Sequence, residues 1–363
     1  MRRQHAIQTQ RGAAILLAML ILVLITSLAA GSTWRQSQVL EVEAAERDRA
    51  QAVWILNGML DWSRLILKED DKNKEREDNL DETWAKELKE SSLSAFLAVD
   101  KNNSGGRDER DITKAYFSGR MQDLNRSINL NDLLAADGKS LDPEYERIVD
   151  RLFNKLGLAQ AESDVFKQAY LRAAQNSEGG EAASSKGVTL PQKDALKPSM
   201  MAQLDWLGIS PDVLNQIRPY FYIANLGSRG QRIPQNININ TTSANMLQAV
   251  IDGCDANCAE QIIQRRGTKP FLNKLELFTA FPALDKPANA ELPLDGKSEL
   301  FQVLGRLRLE NLQVEETAVL WRPSVNVVRV LHREQALLGD FISSDGPNST
   351  SLEELKSELE TEE

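Results

Sequence analysis

Two cysteines, a string of oxygen-bearing side chains and two distant histidines are what this sequence offers in the way of chemistry. Cys254 and Cys258 bracket Asp255-Ala256-Asn257. A thiol-exchange centre needs two intervening residues, so three argue against redox work. A disulfide between them requires an oxidising compartment and one cysteine in a turn, where the two Cα atoms come within about 6 Å. From Asp100 to Asp111 (DKNNSGGRDERD), oxygen donors fall at Asp100, Asn102, Ser104, Asp108 and Asp111, the ligand positions of a calcium loop, with Gly105 at its sharp turn. The match is partial: Arg107 stands where an apolar residue is usual, and Asp111 replaces the bidentate Glu. A solvated turn competes with the calcium reading. Asp252 and Asp255, beside the cysteines, make a second, vaguer oxygen pair for Ca2+. His5 and His332 lack the cluster expected of a zinc site. No nucleophile and base with recognisable spacing, phosphate loop or paired-carboxylate motif stands out, which favours a structural role over an enzyme.

The elements that position these residues begin with QRGAAILLAMLILVLITSLAAGSTW, Gln10 to Trp34. Ala13 to Ala30 carries no charge, and at 1.5 Å per residue its helix is roughly 27 Å long, enough to cross a bilayer. The leader before it holds Arg2, Arg3 and Arg11 and no acid, and ends in Gly12. Those arginines keep that end in the cytoplasm. A cleaved secretory signal with its exit near Ala29-Ala30-Gly31 and a plain anchor are the competing readings. The chain of 363 residues is 42% hydrophobic, sufficient for a real core, and carries a net charge of −10. Without the leader's three arginines, 40 of the 43 basic residues face 53 acidic ones. Nucleic acid is therefore an improbable partner.

Beyond Ala30 the apolar pattern continues through Trp34, Leu40, Val42, Ala45, Ala50, Val53, Leu56, Leu60 and Leu67 among charged residues. The spacing predicts one helix from about Ala14 to Lys68, half in lipid and half packed on a folded domain, which is the pilin layout. A helix over Thr83 to Phe96 and a strand over Lys114 to Met121 are expected next. A long helical stretch follows, interrupted by a Gly-, Ser- and Glu-rich loop from Gln175 to Lys197. INLNDLL (Ile128 to Leu134) has an echo in ININTTSANMLQAVI (Ile237 to Ile251), where Asn240 or Thr241 can cap a helix starting near Ser243. The hairpin after it reads Asp252-Gly253-Cys254-Asp255, and two carboxylates beside one glycine repel phosphate, so this helix pair is assigned to packing. Strand patterns return at Leu300 to Leu309, Gln313 to Trp321 and Ser324 to His332. The acidic end from Ser343 to Glu363 has the composition of a disordered tail.

In its Arg11-Gly12 junction followed by Ala13 to Leu17, in SGRMQDLNRSINLNDLL from Ser118, in ININTTSANML from Ile237 and in VNVVRVLHR from Val325, the chain resembles the minor pseudopilin K family of the bacterial type II (general) secretion system. The resemblance implies an α+β, pilin-like fold. A long N-terminal membrane helix packs on a small antiparallel sheet, and a large all-α insertion contains a helix-hairpin-helix or SAM-like subdomain. The expected divisions are a cleaved leader (1–12), the membrane half of the helix (13–30), its periplasmic half (31–68), the first part of the pilin-like domain (69–124), the insertion (125–299), the closing strands (300–341) and the tail (342–363). Prepilin peptidase would cut between Gly12 and Ala13 and methylate Ala13. Most pilins and pseudopilins carry Glu at the fifth mature position. Here it is Leu17, an absence that within the family belongs to K and marks the first subunit.

The same likeness implies a non-enzymatic tip subunit that joins pseudopilins I and J. Pseudopilin H, the major pseudopilin G, the inner-membrane assembly platform and membrane lipid are further expected partners. It places the chain in the inner membrane with its bulk in the periplasm. It also implies bound calcium and a disulfide between Cys254 and Cys258. The alternative reading is a minor type IV pilin or a membrane-anchored periplasmic binding module.

Overall fold

A computed structural model of the chain describes residues 11–73, 77–93, 115–178, 196–226, 233, 235–309 and 312–337. Its first element is a single helix, α1 (Arg11–Asn73). Uninterrupted Ala, Leu and Ile without proline let it run about 95 Å. From Ala14 to Arg47 every residue is exposed, and Ala52 is the first to be buried. Ala52, Leu56, Leu60, Ser63 and Leu67 then form a buried stripe at spacings of four and three residues, one face of the helix. Of the stripe expected from the sequence, Leu56, Leu60 and Leu67 lie in the core, whereas Trp34, Leu40, Val42, Ala45 and Ala50 are exposed.

That face rests on a five-stranded antiparallel sheet ordered β1 (Leu88–Ser92), β2 (Ala115–Asp123), β7 (Leu300–Leu309), β8 (Leu312–Ser324) and β9 (Val327–Leu337). β2 and β7 are neighbours along their whole length, from Ala115 opposite Leu309 to Asp123 opposite Phe301, although the insertion separates them in sequence. Ala115, Phe117, Leu307 and Val314 pack under Ala52 and Leu56. Trp84, Phe301, Val303 and Leu320 pack under Leu60 and Leu67. Where helix and sheet come closest, Gly119 faces Gly305 across the strands, and a Cβ at either would meet Met59 Cε at 3.3 or 3.2 Å. The helix expected over Thr83–Phe96 is not formed. A single 3-10 turn, Thr83–Ala85, leads instead into β1, whose register with β2 slips between Leu88 and Ser91.

The insertion between β2 and β7 contains β3 (Ile128–Asn129), α2 (Pro143–Lys155), α3 (Gln160–Glu178), α4 (Pro211–Ile217), β4 (Phe221–Tyr222), β5 (Ile237–Asn238), α5 (Ala244–Val250), α6 (Ala256–Thr268), α7 (Lys274–Ala280) and β6 (Leu294–Asp295). It is therefore mostly helical rather than all-α: β3 pairs in parallel with β4, and β5 with β6. Two-residue strands are too short for alternation to announce them. Ile148, Leu152, Phe153, Phe166 and Tyr170 meet Leu247, Val250, Ile262 and Phe271 in one core. The segment expected as loop from Gln175 begins as the last turn of α3.

Candidate functional site

Ser63 and Leu67 bring the end of α1 onto the sheet, and charged groups fasten it there. Arg64 donates from Nε and Nη2 to Val328 O at 3.3 and 3.2 Å. Arg322 on β8 donates to Asp70 Oδ2 at 3.1 Å and to Asp78 Oδ1 at 2.5 Å. Burial works against its charge, but Asp78 and Asp70 raise its pKa above the ordinary arginine value. Ligand oxygens of Asp70, Asp78 and Glu82 lie within 4.8 Å of one another. The guanidinium of Arg322 already supplies the cation, and Glu82 Oε2 accepts from Trp84 Nε1 at 2.5 Å, so this donor set fits an arginine better than a divalent metal.

A buried polar knot joins sheet to insertion. Asp123, the last residue of β2, is fully withdrawn from solvent. Its Oδ1 accepts from Asn125 N at 2.7 Å, and Oδ2 accepts from Thr241 Oγ1 at 2.5 Å, Ser298 Oγ at 2.6 Å and Asn238 Nδ2 at 3.2 Å. Burial pushes its carboxyl up to about 6 against the lowering effect of the Ser298 and Thr241 hydrogen bonds, while Asp78 adds to the rise. Asn125 Oδ1 accepts from Glu299 N and Leu300 N, which holds the start of β7. Asn238 Nδ2 also donates to Asp78 O at 3.0 Å. One amide thus links the insertion, β2 and the segment that follows α1.

The two amide-rich stretches do matching work. Asn129 Oδ1 accepts from Asn131 N, and Asn238 Oδ1 from Asn240 N, forming the same Asx turn twice. Asn129 and Asn131 then donate to Ala224 O, and Asn240 Nδ2 donates to Phe271 O while its Oδ1 accepts from Phe271 N. The cap of α5 is Ser243, not Asn240 or Thr241: Ser243 Oγ accepts from Met246 N. Asn240 is committed to Phe271 instead.

The hairpin between α5 and α6 turns at Gly253, whose φ of +80° suits glycine, and Cys254 is joined to Cys258 with Cα atoms 5.3 Å apart. Asp255 caps α6 through Cys258 N at 2.8 Å, and Asp252 Oδ1 accepts from Arg151 Nη1 at 3.3 Å. The two aspartates of the expected calcium pair thus serve different partners, a helix cap and an arginine. Asp100, Asn102, Ser104, Asp108 and Asp111 lie outside the described residues. Gly12 and Ala13 fall in the first turn of α1, and Leu17 points away from the rest of the chain, 60% exposed. Sequence reasoning missed Asp78, Asp123, Ser298 and Arg322. Only the Asn-rich stretches signalled the knot.

A long helix with an open apolar half, packed by its other half on a five-stranded antiparallel sheet, defines the class: a long-stemmed α+β protein with a large insertion between neighbouring strands. Residues 237–294, which hold the hairpin and part of the knot, match the family described as Type II secretion system (T2SS), protein K. The chain is 23% identical over 359 residues to the Type II secretion system protein K of Pseudomonas aeruginosa, covering 95% of this chain and 98% of that protein. Among solved structures it is similar to one chain of the GspK-GspI-GspJ complex from the enterotoxigenic Escherichia coli type 2 secretion system. There the identity is 14% and the TM-score 0.57, over 80% of this chain and 98% of the other, and the two share a fold. The likeness to protein K read from the sequence therefore stands, and it extends along nearly the whole chain.

Proposed function

We propose that the chain is a non-enzymatic minor pseudopilin of a type II secretion system, with its stem helix in the inner membrane and its folded part in the periplasm. In this reading prepilin peptidase releases Ala13 and methylates it, and the mature helix associates with those of pseudopilins I and J. The complex then starts and caps the filament that drives protein export across the outer membrane. The observation that carries the reading is the end-to-end similarity to protein K, from the membrane helix through to the closing strands. An open, uncharged helical surface from Ala14 to Ala30 supports it, because such a surface is stable only in lipid or against other apolar helices. Leu17 places no carboxylate in that surface, so this subunit does not need a partner amine above it.

The test is co-purification. Affinity-tagged protein, extracted in mild detergent from cells making pseudopilins I and J, should carry both at fixed stoichiometry, and its deletion should abolish exoprotein release. Normal release without the protein would contradict the reading, as would purification free of both partners. Calcium held by the loop Asp100 to Asp111 belongs to the same proposal and is read separately, by a calcium-dependent rise in Tm that D100N/D108N removes.

A further inference from the structure

Arg322 is shared between two aspartates and does not hold them equally. Asp78 takes the shorter bond, at 2.5 Å from Nη2, and is fixed from other directions as well: its Oδ2 accepts from Ser298 N at 2.7 Å and its N–H donates to Gly296 O at 2.9 Å. Asp70, in the last turn of α1, has the longer bond, 3.1 Å from Nη1, which also reaches Leu67 O at 3.5 Å. Asp70 is therefore the partner that can give way. The three side chains are only 14% (Asp70), 5% (Asp78) and 8% (Arg322) exposed, so little water screens the contact.

Among the described residues, the charges that face Asp70 come from two places. Arg322 lies across from it on β8, and Asp78 and Glu82 stand on the segment after α1, with carboxyl oxygens of the three acids within 4.8 Å of one another. Glu82 is itself held by Asn79 Nδ2 and Trp84 Nε1. Burial first, then Glu82 and Asp78, raise the carboxyl of Asp70 to about 6 against the lowering pull of Arg322. A proton on Asp70 removes the repulsion between like charges and leaves its carbonyl oxygen able to go on accepting from Arg322.

We propose that Asp70, Arg322 and Asp78 form a proton-operated latch on the end of α1: the last turn sits firmly on β8 while Asp70 is protonated and loosens when it ionises. The latch lies in the folded part and needs neither the membrane helix nor pseudopilins I and J. Its direction follows from linkage. A carboxyl that binds its proton more tightly when seated than when released favours seating below the ordinary value of 3.8 and loses that advantage as pH rises through about 6.

Amide hydrogen exchange read by mass spectrometry tests it, on the full chain in detergent micelles, with each rate divided by the intrinsic rate at the same pH. Protection of the backbone from Leu65 to Asp70 should be roughly tenfold higher at about pH 5 than at about pH 7.5, with the step centred near 6. This reading needs no substitution, so it stands whatever a variant does to folding. D70N, uncharged and of the same shape, should hold the higher protection at both pH values. D123N, which removes the other carboxyl raised to about 6, should leave the step in place. Equal protection of the parent at the two pH values, a step that survives D70N or vanishes in D123N, or D70N protected no better than the parent at the higher pH would each overturn the proposal.

Discussion

The two halves of α1 have the same backbone and opposite surroundings. From Ala14 to Arg47 no residue is buried, and the side chains from Ala14 to Ala30 are apolar on nearly every side; from Ala52 to Leu67 one stripe is covered by the sheet while Trp54 and Leu65 on the opposite face stay exposed. The first half has its solvent chosen for it by composition. The second has its orientation chosen by a three-and-four stripe that matches the sheet beneath. The difference teaches that one uninterrupted helix can carry an uncovered apolar half and a core-packing half without a break to mark the change. Only the loss of charge-free sequence after Ala30 signals it.

Breaking the second half should cost folding free energy, and breaking the first should not. The largest effect is expected at Arg322. R322M leaves Asp78 and Asp70 without their cation, and thermal or urea unfolding of the folded part should show a loss of about 3–5 kcal/mol. L56A, which opens a cavity beneath α1, should cost about 2–5 kcal/mol, whereas L20A in the outer half should leave the same transition within about 0.5 kcal/mol. Similar losses from L56A and L20A would end the distinction.

The polar knot sharpens the contrast further, because its stability depends on pH and that of the outer half does not. The folded-state pKa of Asp123, about 6, lies above the ordinary 3.8. The folded protein therefore binds this proton more tightly than the unfolded one. Stability from this group is fully present below about 3.8 and is lost as pH rises through about 6, so between pH 7 and pH 4.5 its share should rise by about 1–3 kcal/mol. D123N should flatten that rise in unfolding curves taken across the window. The smallest effect is expected at the disulfide. C254S/C258S releases a loop of only a few residues, so no more than about 2 kcal/mol should be lost, confined to the insertion.

How much of this was legible follows from the range of each interaction. The apolar N-terminal run and the strands from Leu300 onward are read from local periodicity, and the structure forms them nearly where the pattern puts them. The stretch Thr83 to Phe96, expected as helix, holds β1 instead. Its strand conformation is imposed by β2, a partner far along the chain and a tertiary choice that overrides local preference. β3 to β6 were invisible, being two residues each. For the knot the residue types were visible but their partners were not. Asn238 and Asp123 are 115 positions apart, and nothing local says that a buried carboxylate will find an amide there. The echo of INLNDLL in ININTTSANML was seen and given to capping, when most of its amides bridge backbone segments instead.

The central claim is that the outer half of α1 is a processed membrane stem. Intact-mass and N-terminal analysis of the membrane-bound protein, from cells with and without prepilin peptidase, tests it most directly. The account predicts a mature chain beginning at methylated Ala13 that forms only when the peptidase is present. An unprocessed N-terminus in both strains, or cleavage near Ala30 that releases the folded part, would contradict it.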